Sequence, residues 1–276
     1  MYTIELNFLV QPNVHQVESK LKLYLLNNPF SASAMMTNDT QDISEENASR
    51  KHAWEQFTLT GKIVDDPHLN SLVTASWMRC GLRMNPTSPL QWTYASDHAL
   101  QSTLKQHTTF RNIARPIMED IYQFLEDCRV TLILTDSSGC LLEIVGEPSL
   151  TTELQEMGFR SGAYLDEGHL GTNAIAVTLF ESMPSQIVGA EHFSISLHDL
   201  SSVAAPVHAV EGHPLGVLGL LEPIKQYSRQ SFGIVVAGAR AIENQLQADL
   251  IVREANAKTA ELYATMDSIT EGVLAW

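Results

Sequence analysis

The sequence predicts an α+β fold in which an antiparallel sheet is flanked by helices, with a helical extension before it and a long helix after it. Strand-like runs rich in Val, Leu and Ile occupy 130–145 and 201–222, and turn residues split each of them in two. Apolar residues at helical spacing precede the first pair of runs, separate the two pairs and follow the second. Helices that alternate with hairpins, rather than with single strands, favour an antiparallel sheet.

The composition is that of an ordinary globular protein, with 44% hydrophobic residues among 276. Asp and Glu outnumber Lys and Arg by 32 to 17, which argues against direct binding to DNA or to an anionic membrane. The three cysteines form no C-x-x-C motif, so neither a disulfide framework nor a thiolate zinc site is expected. No apolar run approaches a membrane span and no signal peptide is recognisable, so we predict a cytoplasmic protein.

The first 110 residues are predicted to form an N-terminal extension, 1–50, and a helical segment, 51–110. The second part of the extension, 31–50, has no aromatic side chain and one branched aliphatic side chain. Because such a stretch buries little apolar surface, we expect a flexible linker there. In the helical segment, apolar or small side chains recur every three or four residues at Leu69, Leu72, Val73, Ser76, Trp77 and Cys80.

Residues 111–227 are predicted to be the sheet domain, which opens with a helix. Apolar residues three or four positions apart form a seam at Ile113, Ile117, Ile121 and Phe124. Pro116 is expected to start this helix or to kink it, because its ring excludes the preceding turn.

Turn and capping signals define the rest of the sheet domain. The sequence Asp136-Ser137-Ser138-Gly139 predicts a hairpin between 130–135 and 140–145. Ser149 is expected to cap a short helix. Further elements are expected in this order: the helix 149–157, a helix 170–180, a strand 186–190, and a pair of strands 201–210 and 215–222.

A long connecting helix is predicted over 228–262. Its apolar seam consists of Val235, Ala239, Ile242, Leu246 and Leu250. The 4-3-4 spacing of the first four residues is typical of a coiled coil, so we expect a homodimer, with Ile113 and Ile117 of the earlier helix also at the interface. The alternative is that both seams pack on the sheet of their own chain. Residues 263–276 end in a strand-like run and are expected to begin a further domain.

Two short segments carry polar residues that could bind a ligand. Gly171 leads into Thr172 and Asn173 at a helix start, where unpaired backbone N–H groups can bind a polar group. The alternative is that Thr172 only caps its own helix. The second segment places Glu191 beside His192, and its alternative is a rim ion pair over a core phenylalanine. The sequence has no hydrolase, zincin or P-loop motif, so no catalytic residue, metal or cofactor is expected.

The order of four motifs resembles the GAF sensory domain of acetoin-type, sigma-54-dependent transcriptional activators. The motifs are G-T-N-A-I at 171–175, G-x-E-H-F at 189–193, A-A-P-V at 204–207 and G-V-L-G-L at 216–220. Ser76-Trp77-Met78-Arg79-Cys80 resembles the S-W-x-R-C helix that precedes GAF in these regulators. Residues 262–276 resemble the beginning of the PAS domain that follows it. Three positions depart from the family pattern: Tyr164 replaces a common Trp, Ser202 replaces a common Cys, and 221–223 replaces a more polar ending.

The resemblance implies a GAF-like sheet domain that binds a small effector, such as a ketone or diol, and signals through its flanking helices. It implies DNA contact only through domains absent from this chain, and no membrane contact. Effector binding would shift the flanking helices between two packings. We expect one ligand pocket lined by Tyr164, Leu165, Thr172, Asn173, Ile175, Glu191, His192 and Phe193.

Other functions stay open at this point. The input region of a sensor kinase or cyclase would contain the same order of sensing modules. A GAF-fold redox enzyme, such as a methionine sulfoxide reductase, would need reactive cysteines near the pocket, and only Cys140 comes near it in sequence. Cys140 as a redox-sensing thiol is less favoured than Cys140 as a packed small residue. A tetrapyrrole-binding module would need a Cys-His attachment pair, which we do not find.

Overall fold

The computed structural model describes residues 32–125 and 128–274, with side chains described for 45–125 and 128–266. The first 31 residues of the predicted extension therefore lie outside the described residues. The chain divides into two units between Ser44 and Glu45, and every contact given below belongs to the second unit.

The described residues contain eight α-helices and five strands. The helices are α1 (Ala32–Thr60), α2 (Ser71–Gly81), α3 (Asp97–Gln106), α4 (Thr108–Phe124), α5 (Pro148–Met157), α6 (Glu167–Leu170), α7 (Ala174–Glu181) and α8 (Gln230–Leu274). The strands are β1 (Thr131–Asp136), β2 (Leu141–Gly146), β3 (Ser185–Val188), β4 (Leu200–His208) and β5 (Pro214–Pro223). None of the described helices is long and apolar enough to cross a membrane.

The five strands form one antiparallel sheet in the order β2-β1-β5-β4-β3, which confirms the predicted fold class. The predicted first hairpin is β1–β2. At its turn the Asp136 carboxylate accepts hydrogen bonds from the backbone N–H groups of Ser138 (2.8 Å) and Cys140 (3.0 Å). Gly139 adopts a φ of +83°, which favours glycine. The second hairpin, β4–β5, places the long pair of strands at the centre of the sheet.

Both faces of the sheet are covered, because successive side chains of a strand point to opposite faces. On one face Ile133 packs in a cluster with Trp54 of α1 and Trp77 of α2. On the other face Leu132 packs in a second cluster with α4 and with Ile242 of α8. The helical segment 51–110 therefore contributes to the same core as the sheet.

The start of α8 is fixed by a buried carboxyl group at the end of β5. Glu222 accepts a hydrogen bond from the hydroxyl of Ser231 (3.0 Å) and one from the backbone N–H of Ser228 (3.3 Å). Burial raises the pKa of Glu222 to about 7, although these two hydrogen bonds lower it. The long helix therefore begins at a fixed point on the sheet, as predicted within two residues.

The expectation of a flexible linker over 31–50 is wrong where the structure describes this stretch, because it is helical from residue 32 as part of α1. Asn47 accepts a hydrogen bond from the backbone N–H of Ala190 (3.1 Å), and Ser49 donates one to a carboxylate that follows the helix (2.6 Å). Trp54, the largest buried apolar side chain of α1, lies after residue 50. The low apolar content of residues 31–50 therefore did not reveal the helix.

Two helix boundaries also differ from expectation. The cap of α5 is Glu147 rather than Ser149, because Pro148 occupies the first helical position and the Glu147 carboxylate accepts from the N–H of Ser149 (2.9 Å) and of Leu150 (2.7 Å). The helix expected over 170–180 begins later, as α7 at Ala174, because residues 171–173 are not helical and residue 170 ends the separate helix α6. The expected strand at 186–190 ends at Val188, where a short 3₁₀ turn begins.

The helical seams are largely intramolecular, which corrects the expected interface. Val235 and Ile242 are 0% exposed within the single chain, because they pack on the sheet. Ile113, Ile117 and Leu246 are half-buried against the same cluster. Leu250 is also half-buried. Since fully buried side chains cannot meet another copy, Val235 and Ile242 are excluded from a dimer interface. A role of the half-buried Ile113, Ile117, Leu246 and Leu250 in a dimer stays a prediction.

Residues 263–274 are helical and continue α8, so the strand expected near 271–276 is wrong for the described part of that run. Gly272 costs only about 1 kcal/mol in a helix, and a strand would need a partner strand to pair with. The PAS domain expected to begin here stays a prediction.

We expect Ile242→Ala to lower the free energy of unfolding by about 2–5 kcal/mol, because it leaves a cavity under the sheet. Ile251→Ala, on the same helix, removes a side chain that is 59% exposed. We expect it to change that free energy by less than about 0.5 kcal/mol. Urea unfolding followed by circular dichroism measures both. Similar small losses for the two variants would contradict the intramolecular packing of α8.

Candidate functional site

The predicted pocket segments meet where the chain passes between α6 and α7. Gly171 has a φ of +75°, and a Cβ atom there would lie 3.1 Å from the Cβ of Phe193. A glycine is therefore required for this close approach. The two motifs G-T-N-A-I and G-x-E-H-F thus lie against each other, as their shared role in one site predicts.

Asn173 holds this turn together with all the polar atoms of its side chain. Its Oδ1 accepts from the backbone N–H of Ala176 (3.1 Å), which caps α7. Its Nδ2 donates to the carbonyl oxygens of Leu165 (2.9 Å) and Gly171 (2.9 Å). Asn173, and not Thr172, is therefore the cap of this helix. A ligand that used this amide would have to replace bonds within the protein.

His192 is buried and neutral. Its Nδ1 lies 2.9 Å from the carbonyl oxygen of Gly189, which can only accept, so Nδ1 carries the proton. Its Nε2 accepts from the hydroxyl of Ser202 (2.9 Å), and the same hydroxyl oxygen accepts from the N–H of Ala174 (3.2 Å). Burial lowers the pKa of His192 to about 4, although its bond to Gly189 raises it. The serine that departs from the family pattern thus connects His192 to α7.

Four of the eight predicted pocket residues line one internal cavity between the sheet and α7: Leu165, Asn173, Ile175 and His192. The cavity has a volume of about 10 Å³. That is enough for about one water molecule. A ketone or diol would need the apolar lining to move apart. The structure brings these residues together, and their role in binding stays a prediction.

The other four predicted residues point elsewhere, so the expectation of one pocket lined by all eight is wrong. Tyr164 stacks on His169, with ring centroids 5.2 Å apart. Thr172 lies 2.7 Å from the hydroxyl of Ser76 on α2. Glu191 faces a separate cavity beside β3, and Phe193 packs on the glycine turn. Residues that are neighbours in the sequence thus have different surroundings, as Glu191 at the end of a 3₁₀ turn and His192 just after it show.

Glu191 is buried at the end of β3. Its carboxylate accepts from the backbone N–H of Val188 (2.7 Å) and lies 3.3 Å from the guanidinium Nε of Arg50. Burial raises the pKa of Glu191 to about 7, while Arg50 and the Val188 N–H lower it. The alternative of a rim ion pair between Glu191 and His192 is therefore wrong, because Glu191 is buried and pairs with Arg50 of α1, while His192 is neutral and bonds to other groups.

Two tryptophans join the helical extension to the second pocket segment. The indole N–H of Trp77 donates to the carbonyl oxygen of Glu191 (2.8 Å). The indole N–H of Trp54 donates to the carbonyl oxygen of Phe193 (2.9 Å). These two bonds hold the main chain on both sides of His192. Sequence reasoning found Trp77 through its motif and did not assign Trp54. The available signal was the pair Trp54 and Phe57, two large apolar residues at the three-residue spacing of a helix.

The remaining residues of the S-W-x-R-C motif bind α6. Arg79 donates two hydrogen bonds to the carboxylate of Glu167, at 2.6 and 2.7 Å. Ser76 donates to the same carboxylate (2.6 Å). Cys80 is buried behind Thr172, with Sγ 3.6 Å from Oγ1. Sequence analysis did not assign Glu167, and nothing in its spacing marks it, because its partners lie about 90 residues earlier.

The buried thiols are poorly suited to redox chemistry. Burial, together with the nearby Asp136, raises the pKa of Cys140 to about 11, and burial also raises the pKa of Cys80. A reactive cysteine needs its thiolate form near neutral pH. In the part of the chain that the structure describes, no three His, Cys, Asp or Glu side chains are grouped so that they could hold a metal ion.

We expect Trp77→Phe to lower the free energy of unfolding by about 1–3 kcal/mol more than Trp92→Phe. The first change leaves the buried carbonyl of Glu191 without its partner. The second change makes the same replacement of indole by phenyl at the half-buried Trp92, whose indole makes no hydrogen bond among the described residues. Urea unfolding of both variants measures the difference. Equal losses of unfolding free energy in the two variants would show that the bond from Trp77 to Glu191 does not stabilise the packing of α2.

The geometry agrees with what comparisons with known proteins show. The glycerol metabolism operon regulatory protein of Citrobacter freundii is 27% identical over 87% of this chain and 34% of its own length. The acetoin dehydrogenase operon transcriptional activator AcoR of Bacillus subtilis is 31% identical over 71% of this chain and 32% of its own length. The chain thus spans about a third of the length of these relatives.

Among solved structures, the crystal structure of the E. coli DhaR(N)–DhaL complex matches with a TM-score of 0.68 and 24% identity, over 71% of this chain and 67% of that one. This likeness shows a shared fold. Residues 46–247 match the family described as MimR, N-terminal domain. The relatives confirm the resemblance to acetoin-type regulators that the motifs indicated. The chain belongs to the family of MimR N-terminal domains.

Proposed function

We propose that this chain is the N-terminal sensory region of a bacterial sigma-54-dependent transcriptional regulator that acts in the cytoplasm. It would bind a small effector, such as a ketone or diol, and contact DNA only through domains outside this chain. The relatives are named as transcriptional regulators of operons, which supports a regulatory rather than an enzymatic role. The input region of a sensor kinase or cyclase is less favoured, because none of the named relatives is one.

The observation that carries this proposal is the course of α8. It is buried against the sheet at Val235 and Ile242, and its side chains over 251–266 are all exposed. One continuous helix therefore connects the core on the other face of the sheet from the pocket segments to a run of exposed side chains. A change in packing at the sheet would move the outer part of α8, since a helix transmits displacement along its axis.

The contacts of α1 and α2 support the same mechanism. Their two tryptophans hold the main chain next to His192, which lines the internal cavity. An effector that moved His192 would therefore displace these helices as well. A ligand shifts the equilibrium between two packings only by the difference in its affinity for them. The affinity for the effector should therefore depend on the contacts of the two tryptophans.

We expect at least one compound from a panel of short ketones and diols, including acetoin, dihydroxyacetone and glycerol, to raise the melting temperature. A ligand at 100 times its Kd stabilises the folded state by about 2.7 kcal/mol. Differential scanning fluorimetry measures the shift, and trehalose at the same concentration is the control for general osmolyte stabilisation. A panel that acts no better than trehalose would contradict the proposal. Stabilisation by a purified partner protein alone would point to a protein effector, as in the DhaR(N)–DhaL complex.

We also propose that the regulator is a homodimer joined by the outer part of α8. Here Val252, Ala255, Thr259 and Leu262 follow one another at 3-4-3 spacing, and all four are exposed. This is the spacing of a coiled-coil seam, whose natural partner is the same helix of a second copy. These four residues follow the part of α8 that is buried against the sheet, so the proposed seam does not compete with that packing.

We expect the double variant Val252→Glu/Leu262→Glu to be monomeric at tens of micromolar while the native chain is dimeric, because like charges would face each other across the seam. Ala257→Glu/Ala264→Glu adds the same charge on the opposite side of the helix and should leave the dimer intact. Sedimentation velocity measures all three proteins. A monomeric native chain, or a dimeric seam variant, would refute this interface.

A further inference from the structure

A cavity of about 320 Å³ lies beside β3, the edge strand of the sheet. We call it the edge cavity. Its lining comes from α1, α2, α7, β3 and the start of α8 and includes Arg50, Val73, Val177, Gln186, Glu191 and Phe232. Its volume lies in the range of small-molecule sites, whereas the internal cavity holds about one water molecule. It shares no lining side chain with the pocket residues that meet at His192.

Gln186, which lines the edge cavity, has a side-chain donor without a partner among the described residues. The side-chain Nε2 of Gln186 is buried and makes no hydrogen bond among the described residues. Burying an amide without a partner costs about 1–3 kcal/mol, so a ligand that pairs with it would recover that cost. An amide offers both a donor and an acceptor, which suits a carbonyl or hydroxyl group.

The main chain of β3 adds to this polar edge. In an antiparallel pair, the N–H and C=O groups of alternate residues point away from the partner strand. The N–H of Val188 donates to the carboxylate of Glu191 rather than to β4 (2.7 Å), which identifies the outward-facing set. Gln186, two residues earlier, belongs to that set. Its backbone N–H and C=O groups thus point away from β4 at the sheet edge, and Gln186 itself lines the edge cavity.

The charges at the edge cavity argue against an anionic ligand. Arg50 is the one cationic side chain in its lining. Its guanidinium already pairs with Glu46 (2.9 Å) and with the buried Glu191 (3.3 Å). An anion would therefore meet two carboxylates for one guanidinium. Apolar side chains from α2 and α7 form the rest of the wall.

We propose that the edge cavity binds a small uncharged molecule that carries carbonyl or hydroxyl oxygens, with the amide and main chain of Gln186 as its hydrogen-bonding partners. This inference deepens the proposed function and rests on it. The ligand would touch Phe232 in the first turn of α8 and Arg50 on α1, so it would contact both helices that leave the sheet. Binding here requires no expansion of the core.

The test is a titration of the intact chain, labelled with ¹³C at the Ile and Val methyl groups, with acetoin and dihydroxyacetone as probes. We expect chemical-shift changes at Val73, Val177 and Val188 of the edge cavity. Changes confined to Ile133 and Ile175, which line the internal cavity, would overturn the inference while leaving the proposed function intact. The absence of changes with both probes would overturn the inference and count against the proposed function as well. Tighter binding of pyruvate than of acetoin would overturn the assignment of an uncharged ligand.

A matched pair of variants tests the role of Gln186. Gln186→Leu removes the amide with little change in volume, and we expect it to weaken probe binding about ten-fold. Gln155→Leu makes the same change at an exposed position of α5 that lines neither cavity. We expect this variant to bind the probe with the affinity of the native chain. The methyl spectrum of each variant shows whether it is folded. Equal affinity for a folded Gln186→Leu and the native chain would overturn the assignment of this residue.

Discussion

The rest of the structure depends on two hydrogen bonds from indole groups to the main chain. Trp54 and Trp77 donate to the carbonyl oxygens of Phe193 and Glu191, the residues on either side of His192. The segment between β3 and β4 has little regular secondary structure of its own, so its backbone groups need partners from elsewhere. The N-terminal helices provide those partners. They are therefore part of the sensory fold rather than a separate leader to it.

The same segment satisfies its polar side chains internally, which explains why the expected pocket is nearly closed. His192 bonds to Gly189 and Ser202, and Asn173 bonds to three main-chain groups. Buried polar groups that are fully paired make a core rigid and specific. The polar side chains that the family resemblance implies as binding groups for an effector thus have structural roles here. The edge cavity, in contrast, is lined by Gln186, whose buried Nε2 has no partner among the described residues.

The two faces of the sheet have different tasks. One face carries the helices whose tryptophans hold the pocket segments, and the other carries α4 and α8. Ile133 and Leu132, which are neighbours in β1, pack in the clusters on opposite faces, so the two faces are joined through the same strand. The long helix then leads from this shared core to the exposed run at 251–266. A single layer of strands thus separates the pocket segments from α8.

The sequence by itself determined the α+β class, both hairpins, α2, the position of the long helix and the family, because these depend on local periodicity, turn chemistry and short motifs. It also paired Asn173 with His192 through motif order. Only the tertiary structure decided that 31–50 is not a linker, that Val235 and Ile242 are core, and that Glu191 faces a different cavity from His192. The bond from Trp54 to Phe193 spans 139 residues. Contacts of that range leave no trace in local spacing, because they arise only when distant segments pack together.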